Sequence, residues 1–231
     1  MRLVPEESSR PGDTTGSTYT DLAAVTPEAY AIASTSRNLA RERVGNATPE
    51  DRIRQRCSIA VGDFAMADLM RFCGDPVAAG LSALARQAPI ITDIRMVQAG
   101  ILKRGHGSKV LCALDYGEDI ARERGITRTS AGFVALRDQI EGAIVVIGNA
   151  PSALLVVCDM IGEGVCPALV VGTPVGFVNA AESKEALRAL DVPSVSNAGT
   201  RGGTPVAVAA INEIITILAE RAGYEGSGHW F

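Results

Sequence analysis

Ala143-Ile144-Val145-Val146-Ile147, followed at once by Gly148-Asn149-Ala150-Pro151, is the stretch on which the fold turns. A strand with one wet face alternates apolar and polar residues, whereas an unbroken apolar run needs cover on both faces, as in a parallel sheet packed between helices. Ala168-Leu169-Val170-Val171 has the same character and ends in a similar turn, Gly172-Thr173-Pro174-Val175-Gly176. Further out, Pro89-Ile90-Ile91-Thr92-Asp93 reads as another strand, and helical segments separate these runs, the alternation of an α/β fold. In open sheets of that kind ligands gather beyond the carboxyl ends of the strands, so the glycine turns are where a site is expected.

Helix starts are marked three times by a short polar residue followed by proline: Thr26-Pro27-Glu28, Thr48-Pro49-Glu50 and Asp75-Pro76. The polar side chain caps free N–H groups and proline suits the first helical position. The second of these helices is expected to run toward Phe72, since Ile53, Cys57, Ala60, Phe64 and Ala67 recur at helical spacing. A last turn, Asn197-Ala198-Gly199-Thr200-Arg201-Gly202-Gly203, leads into Thr204-Pro205 and a long apolar helix to about Ala222, with Gly223 as its cap. Residues 1–22 lack hydrophobic periodicity and read as a flexible arm, leaving 23–231 as one α/β domain: doubly wound, with a mostly parallel sheet and helices on both faces.

With 231 residues, 47% hydrophobic and 21% charged, the chain has what a soluble globular domain needs, and no stretch approaches a membrane span. A net charge of -4 argues against general nucleic-acid binding, which calls for a basic face, and 4% aromatics are too few for base-stacking platforms. Cys57, Cys73, Cys112, Cys158 and Cys166 are irregularly spaced, form no CxxC pair, and read as buried thiols. The polar start, without the features of a signal peptide, is read as pointing to a cytoplasmic protein.

The glycine turns present backbone N–H groups suited to carboxylate or phosphate, yet none is a dinucleotide fingerprint or a P-loop. Arg128, Lys184 and Arg201 add cations at expected strand-to-helix junctions, a set suited to an anionic metabolite. The two histidines, His106 in a loop and His229 in the tail, leave few bases for a zinc site or a triad; His106 is an outside candidate for an acid.

Taken in order, several segments resemble the precorrin-8X methylmutases of the corrin pathway, over about residues 25–220. They are Ser36; Asp93-Ile94-Arg95-Met96-Val97 with Gly100-Ile101; Thr127-Arg128-Thr129-Ser130-Ala131; Ile147-Gly148-Asn149-Ala150-Pro151-Ser152-Ala153-Leu154; Pro174-Val175-Gly176-Phe177-Val178 through Ala180-Ala181-Glu182-Ser183-Lys184; and Gly202-Gly203. The resemblance implies a cytoplasmic isomerase of cobalamin biosynthesis that moves a methyl group between adjacent ring carbons of a tetrapyrrole and needs no cofactor. It implies a homodimer, with Ser36, Arg128, Thr129, Ser130, Asn149, Lys184, Gly202 and Gly203 at the substrate.

The family is thought to use a histidine to protonate a ring nitrogen, and counting back from Asp93 sets that position at Ile59. Isoleucine transfers no proton. The alternatives therefore include Asp63 or His106 as acid, a paralogue of specialised metabolism acting as isomerase or cyclase on a smaller or less anionic metabolite, and a non-catalytic corrinoid-binding subunit. Arg37, Arg95 and the Asn-Ala-Gly-Thr-Arg loop are further departures from the family pattern.

Overall fold

Two strands decide the architecture: β4 (Ile144–Ile147) and β5 (Leu169–Gly172) pair in parallel, Ile144 opposite Leu169 through Ile147 opposite Gly172, and all eight residues are buried. The computed structural model describes residues 26–223, so the expected arm at 1–22 and His229 lie outside the described residues. Around this centre stand β1 (Met70–Cys73), β2 (Ile90–Thr92), β3 (Val110–Cys112) and β6 (Ser194–Asn197), in the order β1-β6-β5-β4-β2-β3. Only β1 runs antiparallel, pairing Met70 with Asn197. This is the mostly parallel, doubly wound sheet expected from the apolar runs.

Even- and odd-facing side chains of these strands feed two cores. Val146 and Val171 face helices α4 (Pro76–Ala85), α5 (Arg95–Gly100) and α11 (Thr204–Arg221), while Val145 and Val170 face α7 (Arg128–Ala135), α8 (Arg137–Ile140), α9 (Pro151–Gly162) and α10 (Ala180–Arg188). Helices α1 (Pro27–Val44) and α2 (Pro49–Val61) form an outer layer on α11. All three proline-marked starts carry the expected caps: Thr26 accepts the Ala29 N–H at 3.1 Å, Thr48 that of Asp51 at 3.3 Å, and Asp75 that of Ala78 at 3.3 Å. Each such cap contributes about 1 kcal/mol.

The second helix is shorter than the periodicity suggests. It stops at Val61, where Gly62 takes a left-handed conformation (φ 65°), and a short α3 (Ala65–Leu69) leads into β1. Phe72 is thus in a strand, opposite Val195; pairing with the sheet edge overrides a helical repeat that continues past the cap. The cysteines also divide. Cys57, Cys112 and Cys158 are buried as expected, but Cys73 is half-buried and Cys166 is exposed, because Cys166 sits in the turn before β5 rather than inside an element. None of the described helices is long and apolar enough to cross a membrane.

Candidate functional site

The strand order reverses between β2 and β4, where α5 and α9 leave the carboxyl ends of neighbouring strands on opposite faces. Such a switch point opens a crevice. Its rim is built from the turn after β4, the loop 173–179 after β5, the loop 198–203 after β6, and the starts of α5 and α11. Gly148 lets these parts close: a Cβ there would meet Thr204 Cα at 2.9 Å and Val97 Cγ2 at 3.0 Å, so α11 and α5 pack directly on the strand end.

The anion cradle expected at Gly148-Asn149-Ala150 is already filled by the protein itself. Asp93, fully buried at the end of β2, accepts the N–H of Asn149 at 2.7 Å and of Ala150 at 3.0 Å on Oδ2, and that of Ile94 at 2.9 Å on Oδ1. Helix α9 has no side-chain cap, and Asp93 instead fixes the turn that leads into it from the neighbouring strand. Burial pushes its carboxyl up, against the opposing pull of the N–H donors. Asn149 therefore offers a ligand its exposed side chain and not its N–H.

Beside it, the starts of α7 and α9 converge. Thr127 caps α7 by accepting the Ser130 N–H at 3.2 Å, and its hydroxyl lies 2.7 Å from Ser130 Oγ and 3.1 Å from Ser152 Oγ on α9. Thr129 and Ser130 are buried in this hydroxyl cluster, while Arg128 is exposed and donates to the Leu114 carbonyl at 3.1 Å. The exposed guanidinium retains donors for a ligand.

At the other end of the crevice Gly202 and Gly203 take φ of 146° and 108°, and a Cβ on Gly202 would press into the Thr173 carbonyl. The loop is fixed from beneath by Lys184. Sequence reading set this lysine at a strand-to-helix junction; it lies instead inside α10, fully buried, because Asn179 starts that helix five residues earlier. Its ammonium donates to the Arg201 carbonyl at 2.6 Å and sits 3.4 Å from Asn197 Oδ1. Burial pulls its pKa down to about 8, with nearby Arg188 adding to the effect.

Three candidate residues are placed away from the crevice or fully occupied. His106 lies in the loop before β3, at the amino ends of the parallel strands; its Nε2 is 2.6 Å from the Leu102 carbonyl and its Nδ1 accepts the Ser108 N–H at 3.1 Å. Both ring nitrogens are used in shaping that loop. Arg37 is buried against Glu213, which explains a charge where the family pattern is apolar. Arg95 pairs with Asp115 on the rim. Ser36 is half-buried on α1, beside Arg37, whose guanidinium donates to the Arg52 carbonyl of α2 at 3.2 Å.

Sequence reading missed the hub that holds α1 and α2 in place. Glu213, buried in α11, accepts from Arg37 at 2.6 Å, Arg52 at 2.7 Å and Arg56 at 3.1 Å, and Arg52 also pairs with Glu220 at 2.6 Å. Burial alone would raise the Glu213 carboxyl; the guanidiniums outweigh it and hold it below the usual range. The only available signal was a glutamate in the middle of the apolar 204–219 run.

The order and spacing of these elements match known proteins. The family model for precorrin-8X methylmutase matches residues 31–217. The chain belongs to the precorrin-8X methylmutase family. It is 40% identical over 207 residues to a cobalt-precorrin-8 methylmutase of Methanocaldococcus jannaschii, an alignment covering 84% of this chain and 96% of that one. It is 40% identical over 173 residues to a precorrin-8X methylmutase of Pseudomonas aeruginosa, covering 72% and 83%. The crystal structure of a precorrin-8X methyl mutase from Thermus thermophilus superposes with a TM-score of 0.76 at 34% identity, covering 83% and 97%.

Within this methylmutase fold, Ile59 occupies the last turn of α2 and is 38% exposed, although it is apolar and its helix neighbours Cys57 and Ser58 are buried. Helix α2 ends beside the crevice, since Asp63 just beyond it pairs with Arg201. Across the loops Val175, Phe177 and Val178 are also exposed, Phe177 at 96%. Exposed apolar side chains thus lie at the end of α2 and on the loop after β5, and exposed cations at the start of α7 (Arg128) and on the loop after β6 (Arg201).

Proposed function

We propose that the protein is a methylmutase-type isomerase of corrinoid biosynthesis, acting in the cytoplasm as a homodimer on a precorrin-8X-type tetrapyrrole. The observation that carries this reading is the pairing of family membership with a crevice whose chemistry suits the substrate. A tetrapyrrole of this pathway is a flat apolar ring edged with carboxylates. For such a ring the proposed lining is exposed Arg128 with Thr129 and Ser130 at the start of α7, the exposed Asn149 side chain before α9, the loop carrying Gly202 and Gly203, and the exposed apolar Ile59, Val175, Phe177 and Val178. Arginine is well matched to carboxylates through its fixed fork of donors. Ser36 is a further contact, on the helix that packs beside α2. Lys184 acts through the loop it supports.

The reaction is an isomerisation. The methyl group and its bonding electrons pass to the adjacent ring carbon while the π-system rearranges, so no redox partner or group donor is required. A proton on a ring nitrogen speeds the shift and is returned afterwards. Ile59 cannot lend that proton, and loss of a positioned acid typically costs about 10²–10⁴-fold in rate. Nor does Asp63 replace it: its hydrogen bond to Arg201 and the Ala65 N–H hold its carboxyl below the ordinary range, and so in the ionised form. The protein is therefore a slow methylmutase, in which positioning of the ring supplies the rate.

The test is anaerobic incubation of the purified protein with precorrin-8X, with chromatographic separation and visible absorbance of the product. Hydrogenobyrinate formed above the protein-free rate supports the isomerase. Tight binding without conversion assigns a corrinoid-binding role instead, and absence of both binding and conversion moves the substrate outside the corrin pathway.

A further inference from the structure

Arg201 stands on a rigid base but carries an exchangeable head. Its carbonyl accepts from the buried Lys184 ammonium at 2.6 Å and from Asn197 Nδ2 at 2.5 Å, while the preceding Thr200 carbonyl accepts the Gly176 N–H at 3.1 Å. The guanidinium, by contrast, is 49% exposed and meets only Asp63, 39% exposed, in the ion pairs of the described residues. Asp63 divides its two oxygens: Oδ1 accepts the Ala65 N–H at 2.8 Å, and Oδ2 takes Arg201. Losing Arg201 would leave Asp63 anchored through Oδ1 and open to water.

We propose that Arg201 is a carboxylate-binding residue of the crevice that Asp63 holds in reserve, so that an anionic ligand binds by taking the guanidinium from the Asp63 carboxylate. This rests on the tetrapyrrole reading for the identity of the ligand. The exchange is favourable in prospect because half-exposed ion pairs are weak in water, so a ligand carboxylate that is better enclosed displaces Asp63 at small cost. The surroundings fit: Ile59 and Phe64 flank Asp63 in sequence, and Val175 packs against Gly203, so both partners of the pair stand between exposed apolar side chains. The pair also links the end of α2 to the loop after β6, and its opening would free the crevice mouth on that side.

The experiment is an absorbance titration with hydrogenobyrinate, and a parallel calorimetric titration with citrate, on the native chain and on Asp63→Asn, Arg201→Gln, Arg201→Lys and the double variant Asp63→Asn/Arg201→Gln. Asp63→Asn is expected to tighten binding several-fold, Arg201→Gln to weaken it about 10-fold or more, the scale of a hydrogen bond to a charged group, and Arg201→Lys to recover part of the loss. The double variant decides the mechanism: it is expected to match Arg201→Gln. If Asp63→Asn tightens binding equally without Arg201, the aspartate acts by plain repulsion and the exchange is refuted. If hydrogenobyrinate fails to bind while citrate shows the full pattern, the exchange stands and the tetrapyrrole reading falls. If neither ligand responds to Asp63→Asn, the exchange falls.

Discussion

Substituting Glu213 by Gln removes the single negative charge at the centre of three guanidiniums. Glu213 is fully buried, Arg37 is 2% exposed, and Arg52 and Arg56 retain some contact with water. Breaking a buried pair by neutralising one partner costs about 3–5 kcal/mol, since the other charge stays desolvated. The hub fixes α1 and α2 onto α11, so the loss acts on the cooperative unit and not on a fraying end. For a domain of this size each kcal/mol lowers Tm by about 2–4 °C, so a fall of about 6–20 °C is expected. The assay is thermal and urea unfolding by far-UV circular dichroism, with Arg122→Gln as control: Arg122 pairs with Glu118 across one helical turn at the surface, and its loss should cost under about 1 kcal/mol. The sign in pH follows from the lowered carboxyl: its stabilising contribution is present above the unfolded pKa and fades as pH falls through the folded one. The difference between native and Glu213→Gln should therefore shrink in acid. A Glu213→Gln variant within 1 kcal/mol of native at neutral pH would refute the reasoning.

Three further outcomes follow from the same structure. Asp93→Ala leaves the N–H groups of Asn149, Ala150 and Ile94 without their acceptor, and a buried group so orphaned costs about 1–3 kcal/mol; hydrogen exchange should speed up at the Asn149 and Ala150 amides, and unchanged protection there would contradict the role assigned to Asp93 in holding the turn after β4. Lys184, with its pKa drawn down to about 8, binds its proton less well folded than unfolded, so the stability of the native chain relative to Lys184→Met should rise between pH 8 and the ordinary lysine range, while the raised thiols of Cys57 and Cys158 lower both alike; equal pH slopes would remove the basis for its buried charge. Alkylation of the native protein, mapped by mass spectrometry, should modify exposed Cys166 first and spare Cys57 and Cys158, whose thiols burial pushes up to about 12; early labelling of Cys57 would contradict its packing under α11.

How much of this was legible beforehand depended on the range of the interaction. Apolar runs at 144–147 and 169–172 and proline-marked caps are local signals, and strands and helices formed where they pointed. The glycine loops are local too, and their place at the strand ends followed from the fold class. What a ligand can use in them did not. The N–H groups of Asn149 and Ala150 are taken by Asp93 more than fifty positions away, and Lys184 supports the Arg201 carbonyl from inside a helix whose face only the packing defines. Glu213 looked like a polar interruption of an apolar helix until α1 and α2 brought three arginines to it. Strand β1 hid behind a helical repeat that Gly62 cuts short, because an edge strand of four residues has little pattern of its own.

Under the proposed function, Ile59 stands where a methylmutase would need its proton donor. The most direct measurement compares hydrogenobyrinate formation from precorrin-8X by the native protein and by Ile59→His, anaerobically and at equal protein concentration. A gain of about 10²-fold or more on restoring the histidine is the result expected, on the scale of a positioned general acid. If Ile59→His folds and binds the tetrapyrrole yet turns over no faster than native, the crevice does not present residue 59 to the ring, and the account is wrong at its centre.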